Sequence, residues 1–467
     1  MNSSSQPSGP TAGLPRQQLG LLRYLGTWAA VSIVVGTVIG SGIFLVPKTM
    51  VAQVGSPSMV FVVFAVGGLL SLCGALTYAE LGAAMPHAGG EYVYLREAYG
   101  PLASFSYGWT QFWVAKSGSI ATLATAFFYY LANFWPALET PLFEIPIPLG
   151  AGGSFLPVSA GQILAIALIL GLAWLNYFGV KLGGRVQTAV TVLKVVLILA
   201  IVFLAALLGG GSSENLRSTV THAGGVQGFF VALVAALWAY DGWNNLTMVS
   251  SEIHNPQRNI PRSLILGILA VMGIYLAANA AYFYVLSASE VAAADRVASE
   301  AARKFLGDQG RDAVALAAMI SIFAALNGSI LSGARVPYAL AKDGYFFGPL
   351  GRVHPRHRTP HYAILALSAW GALLVLSGSY EQLFTYVIFS GWIFYGLTGS
   401  AVFVLRSKRP EMERPFRVLG YPYVPAVFVT MAAALVAMTL WTSPRESLLG
   451  LALIALGFPF YLHWSKR

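Results

Sequence analysis

Charge is scarce in this chain. Asp, Glu, Lys and Arg together make up 10% of its 467 residues, where a soluble domain carries about 25%. Cysteine is scarcer still: Cys73 stands alone, which excludes a disulfide framework and any cysteine-based metal site. There is no H-E-x-x-H pattern, the seven histidines fall mostly at the ends of apolar runs or between them, and no nucleophile–base set lies within a run. An intramembrane enzyme, a metal and a cofactor are therefore not expected. Acids are outnumbered by bases, for a net charge of +10. That excess is no signature of nucleic-acid binding, because the basic residues sit in short clusters between apolar runs, as the positive-inside rule requires.

What fills the chain instead is hydrophobic sequence, 57% of it, with a mean hydropathy of +0.67. A spanning helix needs ~20 mostly apolar residues. Twelve runs qualify, at 25–50, 57–82, 100–135, 158–178, 184–208, 226–251, 262–287, 312–340, 361–378, 382–405, 423–442 and 446–464. The expected fold is an all-α membrane protein with twelve transmembrane helices. The third run is too long for one upright crossing and implies tilt or a projecting end. Residues 1–20 are polar, contain Gly and Pro, and do not resemble a cleaved signal, so they read as a disordered cytoplasmic tail. With that tail inside, nineteen of the 28 Lys and Arg residues fall in inside segments and seven in outside ones. Four of those seven share the 288–312 loop with five acids. Both termini are thus expected in the cytoplasm of a multi-pass (inner) membrane protein.

Two runs carry interruptions. The first holds "VGTVIGSGIF", Val35 to Phe44, with Gly36, Gly40 and Gly42 beside Thr37 and Ser41; the sixth holds "ALWAYDGWNNL", Ala236 to Leu246, with Asp241 and Gly242 at mid-run. Glycine weakens a helix by roughly 1 kcal/mol relative to alanine. Irregular backbone at bilayer depth is tolerated only where it lines a cavity. Breaks five helices apart suit an inverted repeat of five plus five helices, with both breaks facing one another near the midplane. Free N–H groups at the start of a half-helix suit a carboxylate, and free C=O groups ending the other half suit an ammonium. A free amino acid carries both. The alternative is that Gly36 and Gly40 are a GxxxG packing pair.

Further blocks follow in order: "VGSP" at 54–57, "GALTYAELG" at 74–82, "GGEYVYLREAYGPL" at 89–102, "SEIHNPQRNIPRSL" at 251–264, "LNGSILSGARVPYALAKDG" at 326–344 and "RPEMERPFRVLGYP" at 409–422. Together with the two interrupted runs they resemble the L-type amino acid transporters of the amino acid–polyamine–organocation superfamily, over about residues 20 to 465. The resemblance implies a LeuT-like 5+5 inverted repeat with discontinuous helices 1 and 6, and alternating access. The tail at 1–20, a first repeat at 21–208, a second at 226–405 and two trailing helices at 423–467 follow from it. Animal members tether a heavy chain through a cysteine after the third helix. The corresponding segment here, Pro136 to Pro157, has none, so no disulfide-linked heavy chain is expected. The chain reads as a bacterial homologue working as a monomer or loose oligomer.

By similarity, the N–H groups of Ser41 and Gly42 take the substrate carboxylate, and the carbonyls of Val38, Trp238 and Asp241 take the ammonium. Trp238 sits at the family's gating aromatic, although Trp is also common at membrane interfaces. Val114, Ala115 and Trp392 map to the pocket for the substrate side chain. Lys194, in "VTVLKVVLILAIV", matches a lysine that stands where sodium-coupled relatives hold an ion. It would bridge the first break and a polar residue of the eighth helix, for which Ser329 is the candidate; snorkelling is the alternative. Asp241 departs from the glycine of several relatives. It either pairs with a cationic substrate side chain or hydrogen-bonds locally to Asn244, Asn245 or water. Glu252, Arg258 and Arg262 either close an inner gate as ion pairs or belong to a solvated loop.

The expected activity is sodium-independent exchange of neutral amino acids, small or large, with cationic ones left open. A proton-coupled symporter with Lys194 as the titrating group is the alternative. A channel is disfavoured, because neither break repeats into a ring of carbonyls or charges.

Overall fold

A computed structural model describes residues 20–147, 154–208, 210–220, 224–376 and 380–466. The expected tail lies, but for Gly20, outside the described residues. The first run forms α1 (Thr27–Val38) and α2 (Gly42–Val54), and the second forms α3 (Pro57–Ala84). A short buried helix, α4 (Glu91–Tyr99), precedes α5 (Pro101–Thr110) and α6 (Lys116–Leu131). Then come α7 (Ala160–Tyr177), α8 (Val180–Leu208), α9 (Gly225–Tyr240), α10 (Asn245–Met248) and α11 (Pro256–Val285). The remainder comprises α12 (Ala288–Ala293), α13 (Val297–Gly333), α14 (Arg335–Lys342), α15 (His361–Leu374), α16 (Tyr380–Lys408), α17 (Tyr423–Thr442), α18 (Pro444–Ala455) and α19 (Gly457–Ser465).

Eight of these stretches are individually long and apolar enough to cross a membrane, and the bent pair α1–α2 makes a ninth. The other expected runs fall short for identifiable reasons. The third is divided by a π turn at Gln111–Ala115, the sixth stops at Tyr240, and the ninth shows only 14 helical residues, His361–Leu374, before the described residues end at 376. The eighth is longer than expected. Its helix begins at Val297, well inside the presumed outer loop, and kinks at Gly307 where φ is +62°.

The all-α expectation needs one correction. Residues 141–147 and 154–159 form an antiparallel hairpin, β1 (Pro141–Ile147) with β2 (Ser154–Ser159). Pro146 and Pro157 argue against strands by composition, yet a two-stranded ribbon is all edge and tolerates proline.

Burial separates centre from rim. The stretch Val297–Lys342 is 83% buried through its apolar window, whereas Val180–Leu208 is 22% buried. Along α8, Val192, Val196 and Phe203 stay exposed; side chains of this kind face hydrocarbon. The opposite face of α8 buries Gln187, Thr191 and Lys194, and this polar stripe points at α1. Small residues allow close approach. A Cβ on Gly36 would fall 2.2 Å from Gln187 Nε2, and one on Gly42 would fall 2.6 Å from Ala239 Cα. Packing of this kind, rather than hydrophobic exclusion, holds helices together in lipid.

Candidate functional site at two helix breaks

The chain between α1 and α2 leaves the helix at Ile39, with ψ at 90°, and resumes at Gly42 after a bend of 41°. Between α9 and α10 it is extended at Asp241, and Gly242 takes φ of +104°, a conformation that favours glycine. The two breaks touch. Thr37 Oγ1 lies 2.9 Å from the Gly242 carbonyl and 2.6 Å from that of Ile33. From α11, the Tyr275 hydroxyl lies 3.0 Å from Val38 O and 2.7 Å from Ala239 O. The Val38 carbonyl, expected to be open to an ammonium, is therefore already shared with a tyrosine, with one lone pair left.

A small cavity of about 20 Å³ lies where the breaks meet, lined by Val38, Ser41, Gly42, Trp238, Asp241 and Ser329 together with Thr37, Gly40, Ser119, Leu123 and Gly242. A second, of about 10 Å³, adjoins it through Ser119 and Asp241, walled by Gln111, Ala115, Lys116, Asn244, Trp392 and Tyr395 among others. Of the residues assigned to the side-chain pocket, Ala115 and Trp392 line this second cavity, while Val114 lines neither. The π turn at Gln111–Ala115 adds a residue to one turn and carries Gln111 to the cavity wall while Val114 stays in the protein core.

Lys194 is fully buried. Its ammonium donates to the carbonyls of Gly36, at 2.7 Å, and Ile39, and lies 3.5 Å from that of Ser321. Snorkelling does not describe it. The partner on the eighth helix is Ser321, not Ser329, and the Ser321 hydroxyl also donates to Ile39 O at 3.0 Å. The two serines are eight residues apart, ~12 Å along a helix, so Ser329 sits at the cavity and out of reach of Lys194.

Two buried groups were not singled out from sequence. Lys116 Nζ donates to Asn245 Oδ1 at 2.6 Å, steadying the break before α10. Glu91 is entirely buried and accepts hydrogen bonds from Tyr78 at 2.6 Å, Asn244 at 3.2 Å and Tyr107. Asp241 Oδ1 accepts from Tyr395 at 2.8 Å, and the same hydroxyl lies 3.2 Å from Asn244 Oδ1. Asp241 is thus held by Tyr395 from α16, rather than by the Asn244, Asn245 or water that its second reading named. The only sequence signal for Lys116 was its place within a span.

On the side assigned to the cytoplasm, Glu252 pairs with Arg335 through two hydrogen bonds of 2.7 and 3.0 Å. Arg258 and Arg262 are surface residues that make no ion pair among the described residues. The Glu252 carbonyl also accepts from the N–H groups of Tyr24 and Leu25, at 2.8 and 2.9 Å, which lays the start of the chain across this end. No cluster of three His, Cys, Asp or Glu side chains among the described residues is placed to hold a metal.

Apolar helices, two of them broken at one level around a small polar cavity, are the architecture of a membrane carrier, and the comparisons agree. A family profile described as amino acid permease matches residues 25–456, and the chain belongs to that family, a multi-pass membrane family of transporters and not of enzymes. It is 32% identical to the "Serine/threonine exchanger SteT" of Bacillus subtilis (strain 168), over 96% of this chain and 98% of that one. It is 32% identical to the human "b(0,+)-type amino acid transporter 1", over 88% of this chain and 81% of that one. With the human "Cystine/glutamate transporter" it shares 29% identity, over 99% of this chain and 89% of that one.

Proposed function

We propose that the chain is a sodium-independent amino acid exchanger working by alternating access, with twelve spans, a 5+5 inverted repeat and both termini in the cytoplasm. The observation that carries this is Lys194. Its ammonium occupies a site bounded by carbonyls of the first break and of the eighth helix, which is the coordination a bound sodium ion would otherwise need. A resident cation there removes the requirement for a dissolved one. The substrate is a free amino acid in the cavity between the breaks, its carboxylate toward the Ser41 and Gly42 N–H groups and its ammonium toward the carbonyls of Trp238 and Asp241. The relatives named as exchangers support the same activity. With no cysteine in the segment after the third run, the chain acts without a disulfide-linked partner.

Counterflow in liposomes tests this. Purified protein should take up labelled amino acid only when an amino acid is present inside, at rates unchanged when sodium is replaced by choline. Uptake that collapses without sodium removes the role of Lys194. Uptake into empty liposomes driven by a proton gradient favours symport, with the buried lysine as the titrating group.

A further inference from the structure

The relatives' printed names range over serine and threonine, the b(0,+) type, and cystine and glutamate, so family membership leaves the side chain of the substrate open. The second cavity is more specific. Gln111 and Ser119, only 4% and 5% exposed, bring an amide and a hydroxyl to its wall. Neither side chain has a hydrogen-bond partner among the described residues. Both are held by helix backbone, Gln111 at the π turn and Ser119 just beyond it. Polar groups fixed in a buried wall without partners favour a ligand that supplies the missing donors and acceptors.

Charge narrows the choice. Lys116 and Asp241 bring one buried charge of each sign to this cavity, within electrostatic reach of one another though not in direct contact. A cationic side chain entering here approaches Lys116, and an anionic one approaches Asp241. Each charge is also already engaged, Lys116 by Asn245 and Asp241 by Tyr395. An uncharged side chain avoids both repulsions. A purely apolar one buries Gln111 and Ser119 with nothing to bond.

We infer that the side-chain end of this site selects uncharged, hydrogen-bonding side chains, those of serine, threonine, asparagine and glutamine, through Gln111 and Ser119. The inference rests on the exchanger reading only in taking a free amino acid as the solute.

Threonine and valine, nearly equal in size and differing by a hydroxyl in place of a methyl, give the sharpest comparison. The intact protein, purified in detergent, is titrated with threonine, valine, lysine and glutamate, and the half-saturating concentration is read from the rise in unfolding temperature. Threonine should bind at least about tenfold more tightly than valine, and more tightly than lysine or glutamate. Combining Ser119→Ala with Gln111→Leu should bring the threonine-to-valine ratio close to one while valine binding is retained, which shows the variant folded. If the variant fails to fold, the four titrations of the unaltered protein decide alone. Equal binding of threonine and valine, tighter binding of lysine or glutamate, or no binding of any amino acid overturns the inference. The readout needs no transport: a threonine preference without counterflow would defeat the exchanger reading and leave this one standing, and counterflow without the preference would do the reverse.

Discussion

Arg335 and Glu252 form a two-pronged ion pair at 1% and 0% side-chain exposure, joining the turn after α10 to the start of α14. Burying both charges is costly, and losing one partner costs about 3–5 kcal/mol, because the other is left uncompensated. The pair is formed here where the N-terminal segment crosses Glu252 through Tyr24 and Leu25; on the gate reading of Glu252 it would be a latch on this end of the cavity.

Opening that latch should expose the cavity from the cytoplasmic side. In a Cys73→Ala background, a cysteine introduced by Ser329→Cys reports access of a membrane-impermeant thiol reagent. Adding Arg335→Met should raise its labelling from the cytoplasmic face by about tenfold or more, given the size of the lost pair. Unchanged labelling would mean the pair has no part in closure.

Replacing Lys194 with alanine takes its donor from the carbonyl of Gly36 and leaves that of Ile39 with the Ser321 hydroxyl alone. Each unmet buried acceptor costs about 1–3 kcal/mol, so exchange should fall at least about tenfold. Lys194→Arg should not rescue it, because the planar guanidinium cannot reproduce a compact ammonium among converging carbonyls. Initial counterflow rates measure both variants, and a wild-type rate for Lys194→Ala contradicts the assignment.

Gly42→Ala places a methyl group 2.6 Å from Ala239 Cα, where backbone rather than a flexible side chain must yield. Overpacking of this order costs about 1–3 kcal/mol and pushes the two breaks apart. The variant should unfold at lower temperature and exchange more slowly. Gly26→Ala, with nothing within 4 Å of the new methyl, serves as the control and should leave both measurements unchanged.

Lys48 bonds Asp295 at 2.7 Å and holds its carboxyl below the usual carboxylate range. A depressed carboxylate contributes stability above its unfolded pKa and loses it as pH falls through the folded value. Attachment of the segment around Asp295 should therefore weaken below about pH 4. The pair is exposed and screened, so the effect is small and shrinks further in high salt. Amide hydrogen exchange across 288–296, followed against pH and ionic strength, reads it; pH-independent protection contradicts it.

Both breaks were legible because glycine and polar residues stand out against an apolar run, and Asp241 with Gly242 marked the second within a residue. Lys194 was legible as a lone cation, but its partner was not. Ser321 and Ser329 are both buried serines on one helix, and only the height of the opposing lysine distinguishes them. The network through Glu91, Asn244, Tyr395 and Asp241 joins three segments far apart in sequence, and no local pattern announces such a meeting. Val114 was taken from the resemblance, whereas the cavity wall holds Gln111 and Ala115 from the π turn, which no pattern in the sequence marks. The hairpin at 141–159 was hidden by its prolines.

Tyr275 has one hydroxyl hydrogen and two carbonyls, of Val38 and Ala239, within its reach. Only one can receive that hydrogen at a time, and the exchange between them is a small rotation about the phenolic bond. Whichever way the hydroxyl turns, its hydrogen meets a carbonyl of one of the two interrupted helices. If the helices move as the alternating-access proposal requires, this contact would serve as their pivot.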